Sequence, residues 1–418
     1  MSITSELKNK LFQEVENLET DMTKSLCHIL RFPAVSPHKG GHGEEAKAQE
    51  ISKLISKIGL SEGAKIEWIR IPDEKSKTGN RPSVILRTPG RTSQRLWLLC
   101  HLDVVFVGDR TAWKTDPFTP VASDGRVFAR GANDNGQSII AMIYALKALK
   151  NLGITPEFEI CLGFVAGGVM ENQYSIEPMV NKKLVDFQKE DMILVPDGGD
   201  RTGTLVKIAE KGLLQVEFTI RGKQTHASSP EFGINACRAA NVFSFELDEA
   251  LHKKFPDRDD LFPVETSTFE PTRRLINVVS INVIPGVEKL SFDCRVLPHL
   301  KLDDVMKTAE DVMEDVMSRF GVSIELKVIE RFEPAPNTSP ESPVAKLLVK
   351  VVSEALGVKP RFGGGGVITF AAIFRHAGIP AISWEQNTAG LAQQANEYAD
   401  IKFMINNAKV FALMMAGG

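Results

Sequence analysis

The sequence predicts an α/β protein: a mixed, largely parallel sheet flanked by helices, interrupted by an inserted two-layer α+β module. Three observations predict it. The first 210 residues alternate helix-period segments with short, wholly apolar runs, the mark of strands covered on both faces. From residue 211 the apolar spacing changes to period two, and from about residue 339 the first pattern returns. At 418 residues the chain also exceeds the size at which one core keeps growing. The expected division is therefore a catalytic-type α/β domain over 1–210 and 335–418, with an inserted lid over 211–334.

Each element follows from its local pattern. Apolar residues at helical spacing predict helices over roughly 4–32 and 43–59, and strand-like runs follow at 65–71, 83–88 and 96–100. A long apolar helix begins at Gln137 and closes at Asn151, Leu152 and Gly153, a C-terminal capping signature. Two buried strands are expected at 157–165 and 192–196. Within the insert, strands are expected at 212–221, 275–283, 289–296 and 323–329, with helices over roughly 233–254 and 302–320. A further buried strand is expected at 380–384, after a glycine run at 363–366.

Composition removes several classes of function. With 50 basic and 53 acidic residues the net charge is −3, which offers no electrostatic footprint for nucleic acid. No segment approaches 18 uncharged apolar residues, and the N-terminus is a charged amphipathic helix pattern without an apolar signal core, so neither membrane spanning nor secretion is expected. Five scattered cysteines without a CxxC pair read as reduced thiols in a cytoplasmic protein. The expected partners are a small-molecule amide or carboxylate ligand and a second copy of the chain.

Chemistry is suggested where an apolar run ends on a polar residue. The run Leu96–Cys100 stops at His101 and Asp103, which share one face of a strand end, one as a possible ligand and one as the acceptor that orients its ring. Asp134 sits in a turn before the long helix, where it is either a ligand or a helix cap. Asp197 ends a buried strand before two glycines, where it is either a ligand or part of a plain turn. His101 alone reads equally as a satisfied core histidine. Together, one His and two Asp at separate strand ends can converge at the carboxyl edge of an α/β sheet, where they would supply an N/O set suited to zinc.

The motifs extend beyond these three. His101-Leu-Asp103, Asp134-Asn-Gly136, Pro196-Asp-Gly, Gly222-Lys-Gln-Thr-His226-Ala-Ser-Ser-Pro, Asn282-Val-Ile-Pro-Gly, Asp293-Cys-Arg295, the glycine run and Asn396-Glu397-Tyr398 occur in that order along nearly the whole chain. In this the sequence resembles the dinuclear zinc amidohydrolases that include succinyl-diaminopimelate desuccinylase, acetylornithine deacetylase, aminoacylase and carnosinase-type dipeptidases. The resemblance implies a zinc-exopeptidase-like catalytic domain and a ferredoxin-like lid that also carries the dimer contact. It implies that His101, Asp134 and Asp197 hold one metal and that Asp103 orients His101. It further implies that His226 stabilises the developing oxyanion in the partner subunit's site, and that Asn282 and Arg295 contact the substrate. On the residues alone, His226 reads as a helix cap and Arg295 as a surface ion pair.

The sequence departs from that pattern at the other half of the site. Gly168 stands at the position of the general base, and Val169 and Gln393 stand at the positions of the second metal's own ligands. Valine has no donor atom, and an amide is a poor zinc ligand beside imidazole. The nearest acid to the missing base is Glu171. The expectation is therefore at most one zinc or other divalent ion per subunit, on a metal-dependent amide hydrolase of the deacylase or dipeptidase type that lacks its base. The alternatives are a catalytically inactive homologue acting in small-molecule binding or regulation, and a pocket that binds a carboxylate through Arg295 and His226 without turnover.

Overall fold

The computed structural model describes residues 3–168 and 171–418, which form two compact units. The larger comprises 1–208, 337–363 and 369–418, and the smaller comprises 209–336 and 364–368. The larger unit is built on an eight-stranded mixed sheet in the order Lys65–Pro72, Asn80–Thr88, Glu159–Val165, Arg95–His101, Met192–Val195, Ala381–Ser383, Leu205–Glu210, Arg361–Gly365. The four central strands, Glu159–Val165 to Ala381–Ser383, are parallel. Asn80–Thr88 and Leu205–Glu210 join them antiparallel, one on each side. Central strands are apolar throughout because helices cover both faces of such a sheet; Leu96 to Cys100 are all buried.

Helix Gln137–Asn151 is apolar on nearly every side and packs against Ile401–Met415. That burial explains why its pattern reads so clearly in the sequence. The expected N-terminal helix is instead two, Ser5–Asn17 and Glu19–Ile29, broken at Leu18. Among the described residues no helix is long and apolar enough to cross a membrane. All five cysteines are free, three of them buried.

The smaller unit has the chain order strand Gly212–Arg221, helix Ala236–Lys254, strand Thr268–Ile276, strand Val287–Val296, helix Leu302–Phe320, strand Ser323–Phe332. Its sheet is antiparallel throughout in the order Thr268–Ile276, Val287–Val296, Gly212–Arg221, Ser323–Phe332, the ferredoxin-like βαββαβ arrangement. One strand lies earlier than its apolar alternation suggested: Thr268–Ile276 rather than 275–283. The ladder decides this, since Ile276 pairs with Glu288, the second residue of the neighbouring strand, and the pairing ends there. The apolar Val279 and Ile281 consequently stand fully exposed.

The core of the smaller unit is aromatic. Phe218 is buried between Phe243, at 4.7 Å between ring centroids, and Phe292, at 6.2 Å. Truncating a buried phenylalanine removes its transfer free energy and leaves a cavity, which costs about 3–5 kcal/mol. Phe218→Ala is expected to lower the stability of this unit by that amount, read from urea unfolding followed by fluorescence and hydrogen exchange; a loss under about 1 kcal/mol contradicts the packing described.

Candidate active site

His101 closes the strand Arg95–His101, and Asp134 lies in the turn Ala132–Gly136 that leads into the long helix. Their side chains meet, with His101 Nε2 2.9 Å from Asp134 Oδ1. The turn is held from behind by Glu397: its Oε1 accepts from the backbone N–H of Asn133 and of Asp134, each at 3.0 Å, and its Oε2 accepts from Arg130 at 2.7 Å. His101 Nδ1 donates to the Asp103 carbonyl oxygen at 3.0 Å, so this nitrogen carries a proton, since a carbonyl only accepts. Asp103 thus orients the ring mainly through its backbone, with its carboxylate Oδ1 at 3.4 Å from the same nitrogen. That Oδ1 accepts the backbone N–H of Gly168 at 2.7 Å.

Gly168 is where the loop after Glu159–Val165 comes closest to the histidine. A Cβ built there would lie 2.2 Å from His101 Cβ and 2.8 Å from Phe370 Cζ. No side chain fits at 168 with His101 in this place, and a carboxylate there requires the ring to move. Val169 lies outside the described residues. Glu171, the nearest acid, is held by two donors: Ser36 Oγ donates to its Oε1 at 2.5 Å and Arg81 Nη1 to its Oε2 at 2.6 Å. Arg81 is wholly buried and also binds Glu44 and Asp73. Gln393 donates from Nε2 to Asp134 Oδ2 at 3.3 Å.

Asp197 follows the strand Met192–Val195, and the adjoining turn is tied to the Asp134 turn, where Asn135 Nδ2 donates to the Pro196 carbonyl at 3.1 Å. In the smaller unit His226 and Asn282 are brought together, with His226 Nε2 3.2 Å from Asn282 Nδ2, while His226 Nδ1 accepts from Ser228 N at 3.2 Å. Arg295 forms a paired contact with Asp293 at 2.7 and 3.1 Å and donates to the Gly366 carbonyl at 3.2 Å.

Among the described residues no three His, Cys, Asp or Glu side chains are gathered as a ready-made metal group. Two of the three expected donors meet, and in kind the set of one imidazole and two carboxylates fits a single divalent ion. Asn135 Oδ1, in the same turn as Asp134, is a buried acceptor without a hydrogen-bond partner among the described residues. Of the two positions expected for a second ion, Gln393 places its amide N–H on Asp134 and Val169 is not among the described residues.

Sequence reasoning missed the groups behind these residues. Burial pushes Glu385 up to about 8, reinforced by the charge of Asp197, although Ser138 and Asn387 each donate to it at 2.5 Å. Burial likewise pushes Glu397 up to about 7, with Asp134 adding to it and Arg130 opposing, and Glu44 up to about 7 against Arg81. Lys47, buried and donating to the Leu102 carbonyl at 2.9 Å, is brought down to about 8 by burial. For His101, burial disfavours the charged ring, but Asp134 and Asp103 outweigh it and hold its pKa well above the ordinary value. Glu385 had a signal, since it ends an apolar strand as His101 does. Lys47 and Arg81 had none, because a lone charge in an amphipathic helix or a strand reads as surface.

Residues 97–417 match the pattern of peptidase family M20/M25/M40. An uncharacterized metallohydrolase of Methanocaldococcus jannaschii is 31% identical over 411 residues, covering 96% of this chain and 98% of that protein. A succinyl-diaminopimelate desuccinylase of Nautilia profundicola is 26% identical over 314 residues, 72% of this chain and 80% of that one. In fold, the dipeptidase Dug1p of Saccharomyces cerevisiae superimposes with a TM-score of 0.77 at 14% identity, over 99% of this chain and 98% of that one.

The raised Glu385 makes stability depend on pH. Its folded value of about 8 lies above the ordinary 4.5, so between those values the folded protein keeps a proton that the unfolded chain has released. Stability contributed this way is complete at the acid end and declines as pH rises through that window. Replacing Glu385→Gln is expected to flatten the fall in unfolding free energy between pH 5 and 8, measured by denaturant titration; a slope equal to the wild type's contradicts the assignment.

Proposed function

The chain belongs to peptidase family M20/M25/M40, metallohydrolases of peptidase and deacylase type, and on that premise we propose that it binds small N-acyl amino acids or dipeptides at one divalent ion and hydrolyses their amide bond only slowly. The observation that carries this reading is the close approach of Gly168 to His101, which leaves no carboxylate at the base position. His101, Asp134 and Asp197 would hold the ion, with zinc the typical choice for this donor set. A divalent ion there supplies Lewis acidity toward a carbonyl and makes water more acidic.

The chain's own groups do the rest. Asp103 holds the His101 tautomer, and Glu397 fixes the Asp134 turn through two backbone N–H groups. His226 would act on the developing oxyanion from the partner subunit, and Asn282 and Arg295 would contact the substrate carbonyl. What is lacking is a group to take and return a proton, and a positioned general base contributes about 10²–10⁴-fold. Glu171 is held by Ser36 and Arg81 and cannot supply it. The retained His101–Asp134 pair favours slow hydrolysis over complete inactivity. The reduced cysteines fit a cytoplasmic setting.

Turnover of N-succinyl and N-acetyl amino acids and of dipeptides is expected to fall about 10²–10⁴-fold below that of the Nautilia profundicola desuccinylase assayed alongside, with no more than one zinc per chain by elemental analysis after loading. Equal rates, two zinc ions per chain, or none would overturn the reading. The smaller unit would also carry a homodimer contact, supported by exposed Leu275, Ile276, Val279 and Ile281 near the end of its edge strand. Sedimentation should give a dimer that Val279→Glu with Ile281→Glu converts to monomer; a wild-type monomer contradicts this contact.

A further inference from the structure

We propose that Lys207, lodged beside the Asp197–Gly198 turn, is the anchor for a carboxylate of the ligand bound at the carboxyl edge of the larger unit's sheet. This rests on the reading that the edge binds small amide ligands, and it adds a residue and a charge requirement to it. Lys207 lies on the strand Leu205–Glu210, which pairs antiparallel with Ala381–Ser383 at Ser383. That strand in turn lies parallel to Met192–Val195, whose end leads into Asp197. The side chain crosses this corner of the sheet to the glycine turn: a Cβ built at Gly198 would lie 2.4 Å from the Lys207 ammonium. Gly198 has φ +63°, so both its backbone and the space the ammonium fills call for glycine.

The ammonium is confined and unmatched. Lys207 is only 7% exposed, and it makes no hydrogen bond or ion pair among the described residues. Its buried acidic neighbour is already engaged: Glu385, which packs against the same turn at Gly199, accepts from Ser138 and Asn387. A buried ammonium without a partner costs several kcal/mol, and the cost is recovered when an oxyanion arrives to accept from it. Two amide oxygens of residues tied to this turn, Asn135 Oδ1 beside Pro196 and Asn387 Oδ1 beside Glu385, are likewise buried without a hydrogen-bond partner among the described residues. One cation with nearby amide acceptors is the complement of a monoanion bearing an amide N–H. A single ammonium balances one carboxylate better than a dianionic phosphate.

Calorimetric titration with N-acetyl-L-leucine, N-acetyl-L-leucinamide and inorganic phosphate decides the matter. The zinc-loaded wild type is expected to bind the acid at least about tenfold more tightly than the neutral amide, or about 1.4 kcal/mol, and more tightly than phosphate. Lys207→Met should bind acid and amide equally, while Lys207→Arg, which keeps the charge, should retain the preference. If Lys207→Met melts too early to titrate, Lys207→Gln replaces it as the charge-free variant. Equal binding of acid and amide by the wild type, phosphate binding as tight as the acid, no binding of the acid, or a preference that survives loss of the charge would overturn the anchor. A lysine-dependent preference without turnover leaves the anchor standing while amide hydrolysis falls; turnover with equal binding of acid and amide removes the anchor alone.

Discussion

Charge balance at the carboxyl edge of one sheet is the constraint on which the larger unit depends. Glu44, Asp73, Asp103, Glu171, Glu385 and Glu397 are all buried there, and Asp134 joins them from the turn before the long helix. Arg81, Lys47 and Arg130 are the buried cations set against them. Carboxylates outnumber cations, so several are pushed toward neutrality by burial and by one another, and the rest are held by hydrogen bonds from backbone N–H groups or from Arg81. A site with such an excess of acid suits a bound cation, which is how the donor set and the electrostatics of this edge agree.

The same balance explains the loop after Glu159–Val165. Arg81 gathers Glu44, Asp73 and Glu171, and Glu44 also accepts the Gly167 N–H at 3.3 Å. Gly168, the next residue, touches the histidine and donates to Asp103. A carboxylate at Gly168 would have to displace that arrangement, so the glycine and the tight loop are one feature. Substituting glutamate there is consequently more than the return of a functional group. The buried Arg81 network would resist it, because breaking such a network by removing or displacing one partner typically costs several kcal/mol.

Much of the architecture could be read from the residues, since it rests on local periodicity. Continuous apolar runs marked the central strands, period-two alternation marked the inserted module, and an apolar run ending in His101 marked the edge where the polar groups meet. The alternation at 275–283 misled because exposed apolar residues and strand residues look alike until a neighbouring strand is known to be present or absent. In the site, His101, Asp103 and Asp134 were legible because each ends or follows a strongly patterned element. Glu44, Lys47, Arg81 and Lys207 were not, since one charge among apolar residues has the same local signature on a surface as in a core.

By itself, then, the sequence determined the fold class, the existence of the insert, the donor types at the strand ends and the absence of a carboxylate at position 168. Those depend on residue type and spacing. Tertiary structure decided that Gly168 packs against His101, that Glu171 is held by Arg81 and Ser36, that Asp103 orients the ring through its carbonyl, and that Lys207 reaches the Asp197–Gly198 turn. The first two join segments tens to more than a hundred residues apart, which only the closing of the sheet brings together, and the others depend on how the chain turns at the sheet's edge.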